Sequence, residues 1–117
     1  MRPDPKKYLH DMREACLRVQ EYTAPRTLAE YRGDSLLRSA VERQFQILGE
    51  ALAQLSRRHP DVAERIPDHR GIINFRNVLV HGYDAVEDEV VWGLAQGRVP
   101  PLIEVLETLL AEPEGSD

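Results

Sequence analysis

Residues 75–83 read Phe-Arg-Asn-Val-Leu-Val-His-Gly-Tyr, so an arginine, an asparagine, a histidine and a tyrosine flank a short apolar run. Residues 72–75 continue the apolar pattern towards the N-terminus, and the two segments together predict a helix that is apolar almost all round. Such a helix is typical of the centre of a fold. Gly82 predicts the end of that helix, in the left-handed conformation that glycine adopts most easily. We therefore expect a central helix whose end carries a cluster of polar side chains.

Two long amphipathic helices are predicted ahead of this stretch. The first begins at Asp4-Pro5, a capping residue followed by a proline at the first helical position, and ends before Pro25. The second begins after the break at Gly33-Asp34 and continues to the stop at His59-Pro60. In both segments apolar residues recur every three or four positions, which is the spacing of one buried helix face.

The second long helix carries an unusual pair, Gly49-Glu50, in its interior. Glycine inside a helix costs about 1 kcal/mol relative to alanine, so we expect another element to approach the backbone closely at Gly49. The carboxylate that follows has small residues on both sides, and two interpretations of it stay open. Glu50 either pairs with an internal partner such as an arginine, or it is an ordinary solvated charge on the helix surface.

The remaining segments predict more helix. Short helical turns are expected over residues 27–31 and 61–65, and a last helical region follows a cap at Asp84 or Asp88. The prolines at 100–101 interrupt that region before a second apolar stripe. The strand signal is weak, because the β-prone run at 78–80 is too short to outweigh its helical context, and the sequence predicts an all-α fold.

The whole chain, residues 1–117, is predicted to form a single domain, an up-and-down bundle of about four to five helices. Its one cysteine, Cys16, excludes an internal disulfide and falls on the apolar face of the first helix, where we expect it buried and unreactive. No segment approaches the ~18 consecutive apolar residues of a membrane span, and the polar N-terminus does not resemble a signal peptide. We therefore expect a cytoplasmic protein.

Charge is distributed unevenly along the chain. Residues 84–117 contain one basic and nine acidic side chains, whereas residues 57–83 contain five arginines and three acidic side chains. A general nucleic-acid-coating protein would be more basic than this, but a small, focused phosphate site is still allowed. The spacings of His59, His69 and His81 do not fit a metal site, and no glycine-rich phosphate loop is present. We expect no metal and no cofactor.

Arg76 and His81 together suit phosphodiester chemistry without a metal. An imidazole can accept the proton of a ribose 2′-hydroxyl and, when charged, protonate the leaving oxygen. A guanidinium can hold two phosphate oxygens and stabilise the charge that grows in the transition state, and Asn77 could orient the phosphate or the imidazole. The expected substrate is RNA and the expected product a 2′,3′-cyclic phosphate. An arginine–carboxylate bridge and a histidine that caps the helix would explain the same residues without catalysis.

The five-residue spacing of this pair limits the geometry. On a helix it corresponds to about 140° of rotation and ~7.5 Å of rise, so Arg76 and His81 do not share one helix face. Either His81 lies just past the end of the helix, or a second copy of the chain completes the site. A two-fold axis through this region would gather two arginines and two histidines into one cleft.

The run 76–83 resembles the signature of HEPN-domain toxins of the HepT-like branch, which reads Arg-Asn, three variable residues, His, one residue, Tyr. Residues 41–51, which end in Gly-Glu-Ala, resemble the long-helix segment of that family, and Ile66-Pro67 resembles the stretch before its signature. One difference is the sequence Asp-His-Arg at 68–70, where the family often has a tryptophan–arginine pair. That difference concerns the packing of the loop more than the chemistry.

The resemblance implies an all-α bundle that forms a homodimer, in which the motifs of two chains meet in a cleft. It implies a metal-independent ribonuclease that acts as a toxin, with Arg76 and His81 as its catalytic pair and Asn77 in support. Tyr83 matches the tyrosine to which the cognate antitoxin, a minimal nucleotidyltransferase, adds AMP. Phosphate added so close to the histidine would block the cleft by bulk and charge. The competing hypothesis is a non-catalytic helical module that binds a nucleotidyltransferase or presents substrate to it.

Overall fold

The computed structural model describes residues 4–82 and 86–113, and within these ranges the chain is helical and contains no strand. This confirms the predicted all-α fold. Five helices have ten or more residues, and two shorter ones lie at the predicted short turns. No helix in the described ranges is long and apolar enough to span a membrane. The helices are α1 (Pro5–Thr23), α2 (Leu28–Arg32), α3 (Ser35–Arg58), α4 (Pro60–Ala63), α5 (His69–Val80), α6 (Asp88–Gly97) and α7 (Val99–Ala111).

The starts of α1 and α3 lie where local capping chemistry predicts them. Asp4 Oδ1 accepts a hydrogen bond from the backbone N–H of Lys6 at 2.8 Å, and Pro5 opens α1. Asp34 Oδ1 accepts one from the backbone N–H of Leu37 at 3.0 Å at the start of α3. Side chains at these positions satisfy N–H groups that a helix cannot pair internally.

Of the two caps predicted for the last helical region, Asp88 is wrong, because it is the first residue of α6 and Glu87 precedes it. Asp84 lies outside the described residues.

The core forms where α1 packs against both α3 and α7. The face of α1 that meets these helices includes Met12, Ala15 and Cys16, each fully buried. Burial raises the pKa of the Cys16 thiol to about 12, so the reactive thiolate is not populated near neutral pH. The predicted burial of Cys16 is confirmed.

The start of α6 packs against α2 and α3 through aromatic and ionic contacts. The rings of Tyr31 and Trp92 lie 5.5 Å apart between centroids, within the range of favourable aromatic pairs. Arg32 Nη2 lies 2.6 Å from Glu89 Oε2, and Arg38 Nε lies 3.8 Å from Asp88 Oδ1. These contacts hold the first turn of α6 against α2 and α3.

The prediction that the fifth helix lies at the centre of the bundle is wrong. No residue of α5 is buried; the helix packs chiefly against α3, and Val78 and Val80 are 40% and 48% exposed. A groove of about 170 Å³ separates α5 from α6 and α7, lined largely by apolar side chains such as Phe75, Leu94 and Leu102. The apolar residues around α5 therefore exceed what the described part of one chain covers.

The prediction of a left-handed stop at Gly82 is also wrong, because Gly82 does not have a positive φ. The helix needs a glycine here for space. A Cβ atom at this position would lie 2.9 Å from the carbonyl oxygen of Leu79. The left-handed residue in the described ranges is Asp68, at the start of α5, with φ 57°. Its carboxylate makes no capping hydrogen bond and lies 3.7 Å from Nη2 of Arg98.

Glu42 on α3 gives a test of this packing. Burial, together with the nearby Asp88 carboxylate, raises the pKa of Glu42, and Arg38 offsets only part of that rise. A carboxyl whose folded-state pKa is raised is destabilising while charged, and this cost disappears as pH falls through that pKa. Glu42→Gln removes this cost, so we expect it to raise Tm at pH 7. The rise should be only about 1–3 °C, because solvent screens the charge of a partly exposed group.

The measurement is thermal unfolding of the parent and Glu42→Gln at pH 7 and pH 4, where the difference in Tm should shrink. Glu107→Gln is the control, since Glu107 is an exposed carboxylate paired with Arg13 at 3.1 Å. It should bring no gain at pH 7. An increase in Tm that persists unchanged at pH 4 would contradict the assigned cause.

Candidate active site

The candidate site begins at the closest approach of α3 and α5. A Cβ atom added to Gly49 would lie 2.3 Å from Cβ of Arg76 and 3.3 Å from the carbonyl oxygen of Ile72. The stem of Arg76 therefore lies directly against the backbone of α3, in space that exists because residue 49 has no side chain. This confirms the expected close approach at Gly49.

The guanidinium of Arg76 is held at its tip by two neighbouring acceptors. Nη2 donates to Oε2 of Glu50 at 3.0 Å, and Nη1 donates to Oδ1 of Asn77 at 2.9 Å. Of the two interpretations of Glu50, the pairing with an arginine is confirmed, but the pair lies at the surface, because the Glu50 side chain is exposed. The arginine it pairs with belongs to the signature itself, 26 residues further along the chain.

The guanidinium keeps hydrogen-bonding capacity beyond these two bonds. Arginine has five N–H donors in a planar fork, and Nε of Arg76 is buried without a hydrogen-bond partner in the part of the chain that the structure describes. The Arg76 side chain is 27% exposed, whereas that of Glu50 is 59% exposed. Because Nε is buried, an anion could reach the guanidinium only through the N–H groups of the terminal nitrogens that Glu50 and Asn77 leave unused.

His81 lies just past the end of α5, as the first of the two predicted geometries requires. Its backbone N–H donates to the carbonyl oxygen of Asn77 at 3.0 Å, and its side chain is exposed. Asn77 thus contacts Arg76 through its side chain and His81 through its backbone. The helix ends here, and the imidazole projects from the last turn into solvent.

Four other residues from the sequence analysis lie outside this cluster of contacts or outside the described residues. Tyr83, the expected modification site, lies outside the described residues. Arg70 is exposed at the second position of α5. His59 and His69 join no cluster, since residues 4–82 and 86–113 contain no group of three His, Cys, Asp or Glu side chains that could hold a metal ion.

Comparison with known protein families assigns the chain to one of them. The model of the family described as "Ribonuclease HepT-like" matches residues 12–109. The chain belongs to the HepT-like ribonuclease family. The match includes α3, α5 and the Arg76–His81 segment, so the family assignment and the geometry of the candidate site concern the same part of the chain.

Individual relatives of this HepT-like chain are distant but span it nearly completely. A protein provisionally named an RNase in Methanocaldococcus jannaschii is 26% identical over 114 residues, which are 97% of this chain and 93% of that protein. A second such protein from that organism is 28% identical over 101 residues, 85% of this chain and 90% of its own length. A protein provisionally named ribonuclease HepT in Thermococcus cleftensis is 28% identical over 106 residues, covering 87% and 92%. No solved structure matches the chain.

The α3–α5 contact predicts opposite effects for two glycine-to-alanine substitutions. Gly49→Ala should lower the free energy of unfolding by about 1–3 kcal/mol, because the added methyl overlaps the Arg76 stem and forces the helices apart. Gly93→Ala on α6 is the matched control, since a Cβ there meets nothing within 4 Å. It should raise stability by about 0.5–1 kcal/mol through helix propensity. Urea unfolding measures both changes, and equal stability of the two variants would contradict the proposed steric role of Gly49.

Proposed function

We propose that this protein is the toxin of a toxin–antitoxin pair and a metal-independent endoribonuclease. The observation that carries the proposal is the arrangement of Arg76, Asn77 and His81 at the exposed end of α5, in a chain of the HepT-like ribonuclease family. The names of its relatives support the same activity, because they are provisionally those of RNases. The substrate is then RNA, whose 2′-hydroxyl supplies the nucleophile.

In this mechanism His81 moves protons and Arg76 stabilises charge. A neutral imidazole accepts the proton of the 2′-hydroxyl as O2′ forms its bond to phosphorus. The bond from phosphorus to O5′ breaks, and an imidazolium supplies the proton that O5′ takes up. The products are a 2′,3′-cyclic phosphate and a free 5′-hydroxyl. The Arg76 guanidinium binds the phosphate oxygens and stabilises the charge that accumulates on them in the transition state.

The proposed enzyme is a homodimer, because one motif supplies one histidine and the reaction uses both a base and an acid. A two-fold axis beside α5 brings the His81 of a second copy to the same phosphate, so that one imidazole serves as base and the other as acid. The exposure of Val78 and Val80 supports this arrangement, since an interface there would remove two apolar side chains from water next to the site.

The off-switch in this proposal is the transfer of AMP from ATP to the Tyr83 hydroxyl, with release of pyrophosphate. A minimal nucleotidyltransferase encoded as the antitoxin would catalyse it. Tyr83 follows His81 by two residues in the sequence. The added phosphate places negative charge and bulk where an RNA phosphate must bind, so repulsion and steric exclusion both lower RNA affinity.

The direct test is RNA cleavage in EDTA by the parent, Arg76→Ala and His81→Ala, after mass spectrometry shows that Tyr83 is unmodified. We expect the parent to leave 2′,3′-cyclic ends and each variant to lose about 10²–10⁴-fold in rate, the usual contribution of a positioned acid–base or charge-stabilising group. A His81→Ala protein as fast as the parent would contradict the mechanism. Unmodified parent that cleaves neither tRNA nor mRNA would favour the non-catalytic partner module.

The dimer has its own test in a charged substitution beside the site. Val80→Asp places a carboxylate on the exposed flank of α5, so it should shift the protein to monomer in sedimentation velocity and lower cleavage at least 10-fold, because a buried unpaired charge opposes association. Thr108→Asp on the exposed side of α7 is the control and should leave both properties as in the parent. A fully active Val80→Asp monomer would show that one chain suffices.

A further inference from the structure

We infer that Glu50 is a positioning residue for Arg76 and that its carboxylate competes with the RNA phosphate for the same guanidinium. The inference rests on the proposed ribonuclease function for its kinetic consequences. It rests on the geometry of α3 and α5 for its physical basis. Glu50 lies outside the Arg-Asn…His-Tyr signature and reaches Arg76 because it follows Gly49, the point where the two helices touch.

The positioning role follows from how Arg76 is held. Its Cβ and Cγ lie against the α3 backbone at Gly49, which fixes the direction in which the stem leaves α5. Beyond that contact the guanidinium is fixed by Glu50 at 3.0 Å and Asn77 at 2.9 Å. An arginine side chain otherwise samples many rotamers, and ordering it at the moment of binding costs free energy. Glu50 and Asn77 thus orient the donors before the substrate arrives.

Stability alone is a poor explanation for the pair. Glu50 is 59% exposed, and exposed ion pairs contribute little to folding because water screens them and both side chains must be ordered. Among the residues that the structure describes, the Glu50 carboxylate makes no hydrogen bond other than the one to Arg76.

Competition follows from the chemistry of the two anions. Carboxylate and phosphate bind a guanidinium through the same donors and in the same planar geometry. Because Glu50 already occupies Nη2 of Arg76, a phosphate that uses both terminal nitrogens must displace the carboxylate or lie beside it as a like charge. Glu50 therefore improves the orientation of Arg76 at the expense of affinity for RNA.

These two effects predict different behaviour for two substitutions. Glu50→Gln keeps an oxygen acceptor for Nη2 but removes the charge, so KM should fall about 3–10-fold while kcat changes by about threefold or less. Glu50→Ala removes the acceptor as well, so the guanidinium loses its alignment and kcat should fall about 10-fold or more. A purely structural role would not separate kcat from KM in this way.

The experiment combines cleavage kinetics with a binding measurement that needs no catalysis. Fluorescence anisotropy gives the affinity of each variant for a 2′-O-methyl RNA oligonucleotide, which lacks the nucleophilic hydroxyl. Glu107→Gln is the matched control, because it removes the same charge from a carboxylate that pairs with Arg13 at 3.1 Å on the α1–α7 face. We expect Glu50→Gln to bind about 3–10-fold more tightly than Glu107→Gln at low salt, and the difference to shrink as salt rises.

The outcomes separate this inference from the proposed function. Equal oligonucleotide affinities of Glu50→Gln and Glu107→Gln would overturn the inference, as would a Glu50→Ala protein that keeps the kcat of the parent. If no protein cleaves RNA, the ribonuclease proposal fails. Tighter binding by Glu50→Gln would even then support the competition at Arg76. Thermal unfolding of all three variants shows that each is folded, which the exposure of both glutamates favours.

Discussion

The contact between the α3 backbone at Gly49 and the stem of Arg76 is the constraint on which the site depends. With no side chain at residue 49, the two helices approach until the Arg76 Cβ fills the position that a Cβ at 49 would need. This approach also brings Glu50, the next residue of α3, to the guanidinium, while Asn77 reaches it as the neighbour of Arg76 on α5. The Arg76–Glu50 pair is therefore a consequence of helix packing, and a methyl group at residue 49 would disturb it.

The helices differ in burial, and the helix that carries the candidate site is the exposed one. Helices α1, α3 and α7 supply most of the fully buried side chains, whereas α5 has none and contacts mainly one side of α3. In the proposed mechanism Arg76 and His81 must be accessible to RNA, and a helix at the edge of the bundle meets that requirement. The cost is apolar surface left uncovered by the described part of one chain.

The sequence predicted what depends on neighbours in the chain. The starts of α1 and α3 at Asp4 and Asp34 were predictable because a cap is local chemistry over three or four residues. The position of α5 was not, because apolar periodicity shows which residues favour burial but not whether the same chain supplies the covering surface. The prediction for Gly82 was wrong for a related reason. A glycine at a helix end can be required either by a left-handed backbone angle or by the lack of room for a Cβ atom, and in the structure it is the lack of room.

The partner of Glu50 could not be predicted from the sequence either, because 26 residues separate Glu50 from Arg76. Sequence alone could indicate that a carboxylate beside an interior glycine has unusual surroundings, but choosing among 15 basic side chains required the helix packing. In the proposed mechanism, the uncovered side of α5 and the single histidine of the motif both call for a second chain. A symmetric second copy would meet both needs with one interface, whereas an unrelated partner could cover the apolar surface without supplying the second proton donor. Chemistry and packing thus favour the same proposed assembly for different physical reasons.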